Sequence, residues 1–327
     1  MSGQVPPCTF LGLGQVPAEL GPTVVTIGVF DGVHRGHQAM LRRVVEEAAA
    51  RGVAAGAITF DRHPMEVLRP GSHPRMLSRL RQRVALLGAA GMDFVLVLPF
   101  TPRLSRMRAE EFAVKVLLEA VSARAIVVGA NFRFGHRAAG DPELLADLAR
   151  PRGVDVIAVS LDGDGGEAIS STRIREALAA GDIATVTRLL GRPFAVEGHV
   201  VRGERRGRPL LGVPTANLRV PARLALPARG IYAGHLATGG SGPLPAVSSV
   251  GVNPQFGGDE LRVEAHVLDF DGDLYGRLVS LSFEHRLRDE AKFPDLAALI
   301  AQMREDIRQA RRLLERTSAN LKLGGWA

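Results

Sequence analysis

The amino-acid sequence predicts an α/β protein in two parts: a parallel sheet wrapped by helices, then a small antiparallel β-barrel with a C-terminal helix. Two observations carry that expectation. From about residue 23 to 190, short β-branched runs alternate with amphipathic stretches, the order that a parallel sheet covered on both faces requires. Beyond Leu190, short strands follow one another across Gly, Pro and Asp turns with no long helix between them. With 327 residues, 46% of them hydrophobic, the chain is long enough to build both cores.

In the first part, residues 24–27, 54–59, 94–98, 125–128 and 154–159 read as buried strands bounded by Gly, Pro or polar residues. Helical periods occupy 37–50, 79–90, 109–121 and 142–148. Such an order puts ligands at the carboxyl ends of the strands. In the second part, strands are expected at 194–201, 230–237, 245–252, 261–268 and 278–283. A final helix over 294–314 carries Leu296, Leu299, Ile300, Met303, Ile307 and Ala310 on one stripe and should pack on the barrel. Residues 317–327 are expected to fray. The domain boundary falls between residues 188 and 189, giving 1–188 and 189–327.

Composition narrows the function classes. Lys plus Arg number 41 against 34 Asp plus Glu, a net charge of +7 that first suggests a polyanion: nucleic acid, phosphate or an anionic membrane. Residues 1–188 hold 22 basic and 19 acidic groups, +3, and residues 189–327 hold 19 and 15, +4. The excess is therefore spread over both parts and forms no single face for duplex binding. Aromatic residues make up 5%, thin for stacking single-stranded bases. All basic residues except Lys115, Lys292 and Lys322 are arginines, and most of these express an Ala/Arg/Gly compositional bias. Cys8 is the only cysteine, which excludes an intrachain disulfide framework, a zinc ribbon and an iron–sulfur site and fits a reducing compartment. No leader-like segment or membrane-length apolar run is visible, so a cytoplasmic protein is expected.

Six segments bear on chemistry. The strand at 24–27 runs into GVFDGVHRGH, residues 28–37, and then into a helix. A glycine-punctuated turn there lets backbone N–H groups approach phosphate, and the helix N-terminus adds its dipole. His34 and His37 can face one anion, or the segment can be a plain βα turn with two ordinary histidines. ISSTRIR, residues 169–175, opens a helix with hydroxyls that can cap it or donate to phosphate. In GANFRFG, residues 129–135, Asn131 and Arg133 lie at the ligand edge of the sheet, or Asn131 makes an Asx turn. His63, in TFDRHP, stands alone as a loop histidine. GERRGRPLLGVPTANL, residues 203–218, combines glycines with a cluster of arginines, and Thr215 and Asn217 are oxygen ligands of the kind Mg²⁺ accepts. A turn with two capping groups is the alternative. Glu264, inside the strand LRVEAHV, is either a solvent-facing residue or a base.

In combination, GVFDGVHRGH, TFDRHP, GANFRFG, ISSTRIR and GVPTAN resemble the prokaryotic bifunctional riboflavin kinase/FAD synthetases, from about Pro22 to Leu314. The resemblance implies a Rossmann-like nucleotidyltransferase domain followed by a riboflavin kinase barrel. It implies ATP and Mg²⁺ as co-substrate and cofactor, and riboflavin, FMN and FAD as substrates or products. Its adenylyl-transfer site would comprise His34 and His37 as charge-stabilising catalytic groups, with Gly28, Phe30, Asp31, Gly36, Ser171, Thr172 and Arg175 around the phosphates. His63, Asn131 and Arg133 would border the flavin and adenine. In the kinase, Gly203, Gly207 and Gly212 would fold over ATP, Thr215 and Asn217 would hold the metal, and Glu264 would take the proton of the ribityl 5′-hydroxyl. GVNPQFGG and RLRDEAKF would bring Asn253, Arg286 and Arg288 to the flavin. Three departures from the family pattern stand out: Arg62 in place of Pro, Val213 in place of an aromatic residue, and Glu204 in place of Asp. The expected partners are small molecules, without nucleic acid or membrane, and the expected state is a monomer or weak homo-oligomer. Two other classes remain: another adenylyltransferase with the same turn, such as one acting on phosphopantetheine, which has no use for the barrel, and a basic nucleic-acid-binding protein.

Overall fold

The computed structural model describes the chain apart from residues 1–5, 161–162, 165–166, 203–214, 239–241, 253–260 and 324–327. Two compact units result, Met1–Ser171 and Thr172–Ala327.

The first unit is built on six parallel strands: β1 (Cys8–Leu11), β2 (Thr23–Ile27), β3 (Ala54–Phe60), β4 (Phe94–Leu98), β5 (Ala123–Gly129) and β6 (Asp155–Val159). Their order across the sheet is β1-β4-β3-β2-β5-β6. Helices α1 (Arg35–Arg51), α2 (Pro64–Leu68), α3 (Leu80–Ala89), α4 (Pro102–Ser105), α5 (Ala109–Phe112) and α6 (Pro142–Ala149) connect them. The expected helix over 109–121 is helical through Glu119, but its second half, Ala113–Glu119, is wound as a π-helix.

Strand alternation explains the layering, because successive side chains of a buried parallel strand leave by opposite faces. Val25 and Ile27 join Phe94, Leu96, Phe112, Leu117 and Leu145 on one side, while Val24 joins Val95, Val97, Leu41, Val44 and Leu87 on the other. The strand order reverses between β2 and β5, so their carboxyl ends flank the crevice where ligands bind in such sheets. The edge strand β1, CTFL, escapes the sequence reading: a four-residue run after two prolines has no pattern until β4 supplies its partner. A short hairpin, β7 (Gly163–Asp164) with β8 (Glu167–Ala168), precedes the second unit.

Helices α7 (Ser171–Ala180) and α8 (Ile183–Leu190) lead into β9 (Phe194–Val201), β10 (Ala216–Arg219), β11 (Gly230–Thr238), β12 (Leu244–Val252), β13 (Leu261–Val267), β14 (Leu278–Phe283), β15 (His285–Arg288) and α9 (Leu296–Leu323). Six strands close as β12-β13-β10-β9-β14-β11 and back to β12, with β15 added outside on β11. Val196, Val200, Leu218, Tyr232, Leu236, Val250, Val263, Val279 and Leu281 alternate inward and are buried. On the outer face, α9 lays Ala310 and Leu314 against Ala233 and Val247. The expectation of a frayed terminus is corrected by this helix, which continues nine residues past Leu314 to Leu323. Its sequence there, LERTSANLKL, contains neither Gly nor Pro to stop it. Arg288 holds it in place, with Nε and Nη2 donating to the carboxylate of Asp306 at 2.9 and 2.7 Å.

Candidate active sites

In the first unit the turn after β2 is a strained loop held by side-chain bonds. Phe30 and Val33 both adopt left-handed backbone, φ 50° and 41°, conformations that a β-branched residue such as Val33 avoids. Both are buried, so packing maintains the strain, a combination typical of functional loops. Asp31 fixes the turn. Its buried carboxylate accepts the amides of Leu77 at 2.9 Å and Ser78 at 3.2 Å, and its carbonyl accepts the Ser171 hydroxyl at 3.0 Å. Gly32 N–H donates to Ser78 Oγ at 3.1 Å. The loop is thus tied to the segment that precedes α3 and to Ser171, the third residue of ISSTRIR, which stands beside the turn. A Cβ on Gly36 would lie 3.2 Å from His34 Nδ1 and 3.4 Å from the Ile169 carbonyl, leaving little room there for another residue.

His34 is the N-cap of α1, and its Nδ1 accepts the His37 amide at 3.3 Å. That bond occupies Nδ1 as an acceptor and leaves the proton of the neutral ring on Nε2. The two imidazoles stack, with centroids 3.6 Å apart and planes 18° from parallel, and Phe30 meets His37 edge-on at 5.2 Å. Burial, then His34, then Arg83 hold the His37 pKa well below that of an ordinary histidine. His37 is therefore neutral at pH 7 and offers N–H donation where phosphate charge would sit. Its Nδ1 is buried without a hydrogen-bond partner among the described residues.

The other expected residues of this unit, Gly28, His63, Asn131 and Arg133, follow strands β2, β3 and β5 of the same sheet, whereas Thr172 and Arg175 belong to the second unit. Gly28 follows β2 directly, its amide donating to the Ile58 carbonyl at 3.1 Å. His63 caps α2: Nδ1 accepts the Met65 amide at 3.1 Å, and Glu66 returns a bond to the His63 N–H, closing a capping box. Asn131 and Arg133 lie in the turn after β5, both exposed, and Arg133 pairs with Asp141 at 3.0 Å. Thr172 and Arg175 lie on α7, Thr172 exposed and Arg175 half-buried. Sequence reading misses Arg83, which is 1% exposed and donates from Nη2 to the Phe60 carbonyl at the end of β3. An arginine among exposed arginines on an amphipathic helix carries no signal of burial.

In the second unit the expected groups are assembled by strand register. Asn217 on β10 is directly opposite Glu264 on β13. Glu264 is in turn opposite Ser249 on β12, Ser249 opposite Ile231 on β11, and Ile231 opposite Arg288 on β15. One cross-strand row on the outer face therefore runs Asn217, Glu264, Ser249, Ile231, Arg288. Adjacent strands lie about 4.8 Å apart, so Asn217 and Glu264 are immediate neighbours and Arg288 is about 14 Å from Glu264. On the other flank Asn217 faces Val201, the last residue of β9. Thr215 immediately precedes β10 and is half-buried. Sequence reading does not foresee β10 itself; a four-residue strand whose partners lie far away in the chain looks like a turn until they are known. Ser249 is missed for the same reason. Arg286 donates to the Arg229 carbonyl at 3.0 Å and pairs with Asp289 at 2.6 Å. Gly203, Gly207, Gly212 and Asn253 lie outside the described residues.

Two family models match the chain: one described as FAD synthetase over residues 16–173 and one described as riboflavin kinase over residues 190–314. A bifunctional riboflavin kinase/FMN adenylyltransferase from Pseudomonas fluorescens is 39% identical over 303 residues, covering 92% of this chain and 96% of the relative. Its counterpart from Escherichia coli K12 is 37% identical over 299 residues, covering 91% and 94%. A solved structure described as a macrolide-efflux protein from Streptococcus pneumoniae is 31% identical, covers 94% of this chain and 99% of its own, and superposes with a TM-score of 0.83. Among the described residues, no helix is long and apolar enough to cross a membrane.

Proposed function

From the bifunctional riboflavin kinase/FMN adenylyltransferase family, to which this chain belongs, we propose how its residues divide two reactions. The enzyme phosphorylates riboflavin with ATP to FMN and transfers AMP from a second ATP to FMN, giving FAD and pyrophosphate. Residues 1–188 are assigned to adenylyl transfer and 189–327 to the kinase, which leaves α7 functionally with the first reaction although its Leu178 carbonyl accepts the Ala228 amide of the second unit.

In the kinase, Glu264 takes the proton of the ribityl 5′-hydroxyl as that oxygen attacks the γ-phosphorus and ADP leaves. The neighbouring register of Asn217 and Glu264 is the observation that best supports this assignment. Phosphoryl transfer asks for positioning and charge neutralisation more than covalent help, and a base beside a metal-holding amide supplies both. Among the described residues no group of three or more His, Cys, Asp or Glu could hold a metal. Neutral oxygens from Thr215 and Asn217 suit Mg²⁺, which keeps waters and phosphate oxygens around itself in place of a protein cage. When bound, Mg²⁺ would neutralise phosphate charge there. Arg288 and Arg286 are proposed at the flavin end, three strands from the base.

In adenylyl transfer, the FMN phosphate oxygen attacks the α-phosphorus of ATP and pyrophosphate departs. No strong base is needed, because the nucleophile is already an anion. His34 and His37 donate N–H to the phosphates, with Gly28, Phe30, Asp31 and Gly36 shaping the turn and Ser171, Thr172 and Arg175 adding donors. His63, Asn131 and Arg133 are proposed to border the flavin and adenine. We place the enzyme in the cytoplasm, a compartment in keeping with its single, exposed cysteine. Incubation with riboflavin, ATP and Mg²⁺, resolved by chromatography, is expected to yield FMN and then FAD; absence of both products would sink this reading.

A further inference from the structure

Acting on His37 is a charge that the two reactions as described leave unused. Arg83, on the first turn of α3, is fully buried, yet its Nε and Nη1 find no hydrogen-bond partner among the described residues. A guanidinium does not give up its proton in a protein, and such a buried cation is costly unless its charge is used. Burial lowers its proton affinity, but Asp31 and Asp61 act in the opposite direction and keep it a cation. Both carboxylates also accept bonds elsewhere, Asp31 from Leu77 and Ser78 and Asp61 from the Phe100 amide and Arg62. Their hold on Arg83 is therefore electrostatic, and the bond that anchors it runs to the Phe60 carbonyl, at the ligand edge of the sheet. The groups acting on His37 are the stacked His34, the edge of Phe30 and the charge of Arg83.

We propose that Arg83 is a positioning residue for adenylyl transfer: its fixed charge, buried and anchored at the carboxyl end of β3, keeps a hydrogen-bond-donating His37 imidazole and a lasting positive potential where the ATP phosphates are handled. The inference rests on the reading of the His34–His37 turn as the adenylyl-transfer site. Because Arg83 is buried, it acts through His37 and through its field and does not touch substrate. Charge developing in the transition state feels that field more than the bound ground state does, so the effect belongs in kcat more than in KM.

The test uses the full chain with Arg83→Met and Arg83→Lys, each assayed for FMN adenylylation and, in the same preparation, for riboflavin phosphorylation. Arg83→Met is expected to lower the adenylylation kcat by on the order of 10- to 100-fold with KM for ATP within about threefold, while phosphorylation is unchanged. The His37 ring, followed by NMR, should titrate at higher pH in Arg83→Met. Arg83→Lys, which keeps the charge, should recover most of the rate and the original titration. A wild-type kcat and an unmoved His37 titration in Arg83→Met would overturn the proposal. So would an Arg83→Lys variant as impaired as Arg83→Met with His37 titrating normally in both, since shape alone would then be at stake. If Arg83→Met does not fold, Arg83→Lys and Arg83→Gln decide by the same His37 midpoint. Failure of the wild-type chain to adenylylate FMN would defeat the underlying reading, whereas normal turnover with an indifferent Arg83→Met defeats this inference alone.

Discussion

The two proposed sites would solve the same problem, holding polyphosphate, by different physics. In the first, a backbone loop is bent into left-handed conformations at Phe30 and Val33 and pinned by Asp31, and the stacked imidazoles of His34 and His37 are proposed to meet the phosphate charge. In the second, the backbone is regular, and the proposed site consists of residues that the strand register puts side by side on the outer face of a closed barrel. A site made of loop strain is sensitive to what lies beneath it. A site made of register is sensitive to whatever keeps the strands and their covering helix in place.

That contrast can be broken, or sharpened, by substitution. The largest effect is expected from Glu264→Ala, which should cut FMN formation by roughly 10²- to 10⁴-fold, the range for loss of a general base. FMN supplied directly should still be adenylylated; loss of both activities in a folded chain would refute separate sites. The double variant His34→Ala, His37→Ala should slow FAD formation by about 10²- to 10³-fold, as for removal of preorganised donors, and so accumulate FMN. Normal FAD output would remove these residues from the mechanism.

A smaller effect tests the register itself. Asp306 is 4% exposed and Arg288 21% at their side chains, and removing one partner of such a pair costs about 3–5 kcal/mol. Asp306→Ala should therefore lower the melting transition of the barrel, read by calorimetry, and weaken FMN formation while leaving adenylylation of supplied FMN intact. An unchanged melting profile would show that α9 holds without it.

The smallest expected effect is on pH dependence. His37 has a lower proton affinity folded than unfolded, so the unfolded chain binds the extra proton first. Its contribution to stability is fully present above the unfolded value of about 6.5 and is lost as pH falls from there toward the folded pKa. Melting temperature measured against pH should fall over that acid range in the wild-type chain, and His37→Gln should flatten the fall. An identical acid limb in both would assign it to other groups.

Much of the proposed site was legible because it is local. His34 and His37 are three residues apart on one turn, and Ser171 opens the helix that its hydroxyl run announces. The alternation of β-branched runs with amphipathic stretches likewise set the parallel sheet, since the inner strands β2 to β5 are buried on both faces, whereas the edge strand β6, read as buried, is partly exposed because nothing pairs with its outer side in the sheet. Residues whose meaning depends on distant partners were harder to read. PTAN looked like a turn because the strand Ala216–Arg219 acquires its pattern from β9 and β13, and Ser249 had no distinguishing feature at all. His63 was read toward the flavin, while locally it caps α2, a bond that short-range reasoning could have supplied.

What the sequence determined by itself was thus periodicity, punctuation and motif: two units, their element types, and the chemical classes of the groups that could handle phosphate. Only the tertiary structure decided which arginine among so many is buried, and that Asn217, Glu264 and Arg288 fall in one cross-strand row. The reason is physical. Helix and strand periods arise from neighbouring residues, whereas burial of a charge and the register of a barrel depend on partners brought together only when the chain closes on itself.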